Sequence, residues 1–252
     1  MSARMSARLV LLTLGVAGVA AVLAVGFGAL PHFGDVHHGY GVRAVAAAIS
    51  HKTANAVGSV TFDQRAFDTA GEELIMFAAS TSALMLLRRI RDEDEGEAAH
   101  DYDEPDVQGA LRLSGTAFLP VTLLVGCYVI AHGHLSPGGG FQGGVVLATG
   151  LHLAYLAGDY KVLERLRPSA VFDVAEAGAV AGYLGVGLVG LGLMGSFLAD
   201  WIPLGTFGSL LSAGTVPVLN GLVGIEVGAA LVLLVARFLD QALLIRREHD
   251  DG

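Results

Sequence analysis

Cysteine is almost absent from this chain of 252 residues, in which Cys127 is the only one. A single cysteine excludes a disulfide within the chain, and no group of cysteine and histidine has the spacing of a metal site. Charged residues are scarce as well, at 15%, whereas soluble domains carry about a quarter. The 15 lysines and arginines form no basic patch, and no nucleophile is paired with a base. We therefore expect no nucleic-acid partner, no enzymatic activity and no cofactor.

Apolar residues are abundant instead, and they fall in blocks. They make up 53% of the chain, and 35 further residues are glycine. Each block is about 20 residues long, the length of a helix that crosses a hydrocarbon core of roughly 30 Å. The sequence predicts an all-α, polytopic transmembrane protein with about six spans, with Cys127 buried in the third. The blocks cover residues 9–30, 66–87, 112–131, 141–158, 174–196 and 218–239.

Lysine and arginine are unevenly distributed between the segments that connect these blocks. If the N-terminus lies inside the cell, the outer segments hold only Arg43, Lys52 and Arg65, and the inner segments hold the other twelve. Such a bias marks cytoplasmic loops, so we predict that both termini are cytoplasmic. The first block resembles a signal peptide but is longer than the usual core of about 7–15 residues, which favours an uncleaved anchor. Cleavage would leave five spans.

Acidic residues are concentrated in one stretch. Residues 92–106 hold nine of them and no lysine or arginine, which equals the whole net charge of −9. Such a stretch predicts a solvated, cytoplasmic linker. It separates a two-span module, residues 1–91, from a four-span module, residues 107–252. The two modules share no internal repeat, so an inverted-repeat transporter is not indicated.

A glycine-rich stretch, HGHLSPGGGFQGG, covers His132 to Gly144 at the outer end of the third span. Its proline and first three glycines cannot continue a helix, so the chain must turn sharply there. The two later glycines allow the next helix to approach a neighbour closely. No lysine and serine or threonine pair follows, which argues against a phosphate loop. The predicted structural motif is Pro137, Gly138, Gly139, Gly140, Gly143 and Gly144.

Two histidines, His132 and His134, flank this turn. Histidine titrates near neutral pH, so both could pass protons at the outer surface. They could equally bind loop carbonyls.

An acidic stretch, DQRAFDTAGEE, leads into the second span. If it is helical, Asp68 and Glu72 share a face, and Arg65 can reach Asp68. The mildly apolar residues 53–62 before it could form a short helix that enters the membrane and breaks, and such breaks line cavities or interfaces. Glu72, assisted by Glu73 and Asp68, would then be a waypoint for protons or sodium. The alternative is a polar outer loop.

Three ionisable residues fall in or near later spans. Glu226 lies well inside the last one, between Gly224 and Gly228, where a charge is costly and must face protein or water. It is a candidate for the ion path, or else a protonated carboxyl bonded to another helix. His152 lies near the middle of the fourth span. Glu176, near the start of the fifth, could simply favour a helix N-terminus.

The motifs resemble known membrane proteins. HGHLSPGGGFQGG and LGTFGSLLSAGTVPVLNGLVGIEVGAA are similar to the B-type subunit (MnhB/MrpB family) of the Mrp-type multisubunit sodium/proton antiporters, a likeness that covers residues 107–240. NAVGSVTFDQRAFDTAGEE is similar to a small two-span subunit of membrane-bound hydrogenases (MbhE-like) and to the C-terminal part of the large A-type antiporter subunit. The chain thus resembles the tail of an A-type subunit fused to a B-type subunit.

This resemblance implies an accessory subunit in the plasma membrane of a prokaryote. Its partners would be the lipid bilayer, large A- and D-like subunits and small C-, E-, F- and G-like subunits, in a complex that exchanges sodium ions for protons. Glu72 corresponds to a candidate coupling residue, and Glu226 to the acid of a motif in the last span, so sodium could bind transiently at either. Asp200 departs from the family's asparagine, and His152 is outside the family pattern.

Two other functions fit the same sequence. Related modules occur in energy-converting hydrogenases, so the chain could be a membrane subunit of a redox-driven ion pump. It could also be a purely structural subunit without a role in the ion path.

Overall fold

The computed structural model describes residues 3–30, 39–87, 109–157 and 168–250. Within these residues the secondary structure is entirely helical, which confirms the predicted all-α class. The predicted linker, residues 92–106, lies outside them. The helices are α1 (Ala3–Gly28), α2 (Gly39–Ser50), α3 (Ala56–Ser59), a π-helix (Val60–Gln64), α4 (Ala66–Leu86), α5 (Gly109–Ala131), α6 (Gly140–Ala157), α7 (Ser169–Met194) and α8 (Val216–Asp250).

Four of these helices contain a segment that is long and apolar enough to cross a membrane. The segments are Leu9–Gly28, Leu113–Ala131, Ala170–Met194 and Val216–Leu239. The other two predicted spans coincide with α4 and α6, which have 21 and 18 residues and are less apolar. Three acids in the first two turns of α4, and a glutamine and a histidine in α6, lower their hydropathy.

The chain forms two compact units, Met1–Val42 and Arg43–Gly252. In the first unit the side chains of residues 9–28 are all exposed. In the second, α5 packs on α6, α6 and α7 pack on α8, and α4 packs on α7 and α8. Residues 43–87 therefore share one packed unit with the helices that follow the acidic stretch.

The interior of the second unit lies where α4, α7 and α8 meet. Its centre is apolar and includes Ala70, Tyr183, Leu219, Val223 and Val227. The side of α5 that carries Cys127 is exposed, so the expectation that this cysteine is buried was wrong. An apolar side chain on a membrane helix need not face protein, because lipid accepts it equally well.

Close contact between α6 and α8 depends on glycine. A Cβ atom at Gly144 would lie 2.8 Å from the Gly224 carbonyl oxygen and 3.0 Å from the Gly228 nitrogen. Both are backbone atoms, so neither can move aside. The start of α6 is thereby held against the first half of α8.

Candidate functional site

The segment before α4 is a helix that breaks. Asn55 caps α3, because its side-chain oxygen accepts a hydrogen bond of 3.1 Å from the Val57 N–H. The π-helix ends at Arg65, whose φ of −134° and ψ of 32° are not helical, and α4 starts at the next residue. Across the break, the Thr69 hydroxyl donates to the Thr61 carbonyl at 2.7 Å. The short helix and the break that the sequence predicted here are both present.

Asn55 also ties the broken helix to the glycine-rich turn between α5 and α6. Its side-chain nitrogen donates to the carbonyls of Gly133 at 2.7 Å and Ser136 at 2.9 Å. Its backbone N–H donates to the His134 carbonyl at 3.0 Å. The Asn55 side chain thus links two segments that lie about 80 residues apart in sequence.

The turn itself is held from the other side by Asn220 of α8. Gly138 and Gly139 have φ values of 135° and 145°, which side chains rarely permit. The next residue, Gly140, donates its N–H to the Asn220 side-chain oxygen at 2.9 Å. Asn220 is fully buried, and its nitrogen donates to the Val216 carbonyl at 3.1 Å. The motif is therefore anchored on both sides by buried or half-buried amides.

Both histidines of the motif lie near carbonyl groups. The His132 ring stacks on Tyr128, with 4.0 Å between ring centroids, and its Nδ1 lies 3.1 Å from the Tyr128 carbonyl oxygen. His134 is fully buried, with Nε2 at 3.3 Å from the Ser209 carbonyl oxygen. Burial lowers the pKa of His134; the Ser209 contact opposes this shift, and the nearby His132 adds to it. The neutral ring of His134 therefore links two loops.

A cleft of about 320 Å³ opens between the broken helix and the start of α6. Asp68 and Glu72 lie one turn apart on its α4 wall and are both exposed. Asp68 accepts a hydrogen bond of 2.6 Å from Nε of Arg65, the ion pair that the sequence spacing suggested. Glu73 is buried and does not line the cleft. The polar lining of the cleft is Thr61, Arg65, Asp68, Thr69, Glu72 and Gln142.

A second polar cluster lies behind the broken helix. His51 Nδ1 and Asp63 Oδ2 are 2.7 Å apart, and the Ser59 hydroxyl donates to the same oxygen at 3.3 Å. Asp200, in the loop between α7 and α8, accepts a hydrogen bond of 2.8 Å from the Thr215 N–H. Burial raises the pKa of Asp200; its hydrogen bonds with Thr215 oppose the shift, the charge of Asp63 adds to it and His51 counteracts it.

Three predicted acids are buried within the helix bundle. Glu73 of α4, Glu226 of α8 and Glu176 of α7 expose 1%, 0% and 3% of their surface. Among the described residues, neither oxygen of Glu73 or of Glu226 has a hydrogen-bond partner, and Oε1 of Glu176 has none. His152 is half-buried on α6, and its Nε2 also lacks a described partner. The structure thus separates the exposed cleft acids from the buried ones.

Several residues that hold these sites together were not selected from the sequence. Asn220 could have been selected from the sequence, because it is a polar residue within an apolar block. The sequence around Asn55 and Tyr183 gives no such indication. Their importance depends on partners far away in sequence, such as the Ala66 carbonyl oxygen, which accepts a hydrogen bond of 3.0 Å from the Tyr183 hydroxyl.

Several known proteins are similar to this chain in sequence. Residues 110–233 match the family model of domains related to the MnhB subunit of Na+/H+ antiporter. A protein of Rhizobium meliloti, named as the probable A/B subunit of a K(+)/H(+) antiporter, is 25% identical over 216 residues, which are 77% of this chain but only 21% of that protein. The chain therefore spans about a fifth of that relative.

Two solved structures share the fold. One is a chain of the membrane-bound sulfane sulfur reductase, an archaeal respiratory membrane complex, with a TM-score of 0.68, 32% identity and coverage of 92% of this chain and 98% of that one. The other is a chain of the Mrp complex from Dietzia sp., with a TM-score of 0.66, 23% identity and coverage of 94% and 26%. At this identity the second likeness shows the fold alone. The chain belongs to the family of proteins that carry a domain related to the MnhB subunit of Na+/H+ antiporters.

Proposed function

We propose that this chain is an accessory membrane subunit of a multisubunit cation/proton antiporter, with sodium as the first cation to test. The proposal depends on one observation, namely that two elements are joined in one packed unit. The broken helix with its acidic cleft packs against the MnhB-related domain, and Asn55 and Asn220 hold both to the glycine-rich turn. A relative named as the A/B subunit of a K(+)/H(+) antiporter matches most of the chain.

In this proposal the chain crosses the plasma membrane of a prokaryote six times, as two spans followed by four. Helices α4 and α6 are the two less apolar spans. They can lie in the membrane because protein contacts shield part of their polar surface. Both termini and the acidic stretch 92–106 lie in the cytoplasm. The exposed apolar side chains face lipid or the other subunits, which would be of the A, C, D, E, F and G types; examples are Phe67, Ile75 and Leu124.

The cleft is where an ion would enter this chain. Glu72 is exposed there, and Asp68 is neutralised by Arg65, so Glu72 is the remaining acid of the lining. A carboxylate that is open to water can bind a cation or exchange a proton. The role of the chain in ion movement therefore depends first on Glu72.

The test uses the whole complex. The chain is tagged, the complex is purified in mild detergent and its subunits are identified, and sodium-dependent proton exchange is measured in inverted membrane vesicles. We expect antiporter-type subunits to co-purify. We expect Glu72→Gln to assemble normally and to slow exchange about tenfold, which is about 1.4 kcal/mol of barrier. Asp173→Asn, an exposed acid on α7, is the control. Normal exchange in an assembled Glu72→Gln complex would exclude the role of Glu72.

A second function is favoured by one finding. The 32% identical chain belongs to a respiratory complex rather than an antiporter. If redox subunits co-purify with the tagged chain, it is a membrane subunit of a redox-driven pump. If exchange survives neutralisation of every acid named above, its role is purely structural.

A further inference from the structure

We propose that protons cross this chain along a buried polar seam between α4 and α7, which meets the cation cleft only at Thr69. The seam consists of Thr69, Glu73 and Ser80 on α4 and Tyr183 and Glu176 on α7. The proposal rests on the proposed function, because it assigns the proton half of an exchange to one place. It also identifies Glu73, rather than its exposed neighbour Glu72, as the acid within the bundle.

The outer end of the seam lies at the helix break. The Tyr183 hydroxyl donates to the Ala66 carbonyl at 3.0 Å and lies beside the Thr69 hydroxyl. Glu72, on the cleft wall, is close enough to Tyr183 for its charge to act on the phenol. The seam therefore begins at Thr69, a buried residue that also lines the cleft.

The inner end lies further along both helices. Glu176 precedes Tyr183 by seven residues, which is about 10 Å along α7. The Glu176 carboxyl faces the Ser80 hydroxyl, although no hydrogen bond joins them. Ser80 follows Thr69 on α4, so the two helices run in opposite directions along the seam. Beyond this end, Asp173 lies one turn before Glu176 on α7 and is exposed.

Glu73 occupies the interval between these two ends. It follows Thr69 by about one turn and precedes Ser80 by two, and all three belong to the buried face of α4. The five seam residues each expose 3% of their surface or less. The hydroxyl and carboxyl groups thus form a row inside a bundle whose other buried side chains are mostly apolar.

The chemistry of the row suits protons better than sodium. A hard cation requires several oxygen ligands at once, and the described histidine and acidic residues form no group that could hold a metal. A carboxyl group needs no such cage, because it accepts a proton on one oxygen and releases one from the other. Intervening water, bonded to the unpartnered oxygens of Glu73 and Glu176, would complete the chain.

Glu226 is buried and unpartnered too, but it is not required by this path. It lies on α8, one turn after Leu222, whose side chain packs against Gly182 of α7.

The test again uses the assembled complex, with Glu73→Gln and Glu176→Gln as seam variants and Asp103→Asn, in the acidic stretch 92–106, as the control. We expect each seam variant to slow proton exchange about tenfold while the apparent KM for sodium stays unchanged. We expect Tyr183→Phe, which keeps the ring packing, to slow exchange as well. Infrared difference spectroscopy should show a protonated carboxyl signal that Glu73→Gln removes and Asp103→Asn retains.

The outcomes separate the two proposals. If wild-type exchange is normal and assembled seam variants exchange normally, the seam is overturned and the proposed function stands. If the wild-type complex shows no exchange, the proposed function fails, and the infrared signal alone decides whether Glu73 carries a proton. If Glu73→Gln does not assemble, normal exchange by an assembled Tyr183→Phe complex overturns the seam.

Discussion

At the scale of single residues, amide side chains hold the outer polar region together. Asn55 combines a helix cap with two hydrogen bonds to the glycine-rich turn, and Asn220 reaches the same turn from α8. Amides suit this task because each carries donors and acceptors at once. A carboxylate, which only accepts, could replace only the acceptor of either set.

The two roles of Asn55 can be separated by substitution. Asn55→Asp keeps the capping oxygen but loses both donors, whereas Asn55→Ala loses everything. A lost cap costs about 1 kcal/mol, and leaving buried carbonyls unsatisfied costs about 1–3 kcal/mol. We therefore expect both variants to lower the melting temperature of the purified complex, the aspartate because its second oxygen would face the Gly133 and Ser136 carbonyl oxygens and the alanine because it loses the cap as well. Equal stability of wild type and Asn55→Asp would show that the bonds to Gly133 and Ser136 contribute nothing.

His134 should make the same region sensitive to acid. Because burial lowers its pKa in the folded protein, the unfolded chain takes up the proton first as the pH falls. The neutral ring contributes its full stabilisation above about pH 6.5. Below that pH its contribution to the free energy of unfolding decreases, by at most about 1.4 kcal/mol per pH unit. We expect thermal stability to fall between pH 6.5 and 5 in the wild type and to fall less in His134→Gln. Parallel curves for the two proteins would contradict this.

At the scale of elements, the contact between α6 and α8 requires a small residue. A methyl group at Gly144 would meet the backbone of α8, so Gly144→Ala must push the helices apart. Overpacking of this kind costs about 1–3 kcal/mol. Gly221→Ala, on α8 with open space around it, is the control and should be neutral or slightly stabilising. Melting curves of the two variants should differ; a Gly144→Ala protein as stable as the control would contradict the close packing.

At the scale of the whole molecule, residues 43–87 pack as one unit with the helices that follow the acidic stretch. The buried face of α4 meets α7 and α8, and Tyr183 bonds the backbone of α4. If these contacts are enough to hold the two segments together, the segments need not belong to one continuous chain. We expect residues 1–91 and 107–252, expressed as two chains, to co-purify and to restore exchange. Exchange below about a tenth of the wild-type rate, with both pieces present in the membrane, would show that the link is needed.

The sequence alone determined the helical class and the position of each long apolar helix, because both depend on local composition. It left the segment before α4 open between a short broken helix and a polar outer loop. It also indicated a shared face for Asp68 and Glu72, since helical spacing fixes which neighbours can meet. Tertiary structure decided what spacing cannot reveal. Glu72 and Glu73 are adjacent on α4, yet Glu72 is exposed and Glu73 is buried, and only the packing of α7 and α8 determines which carboxyl is buried. Likewise Asn55, Asn220 and Tyr183 act through partners far away in sequence, which only the fold brings close.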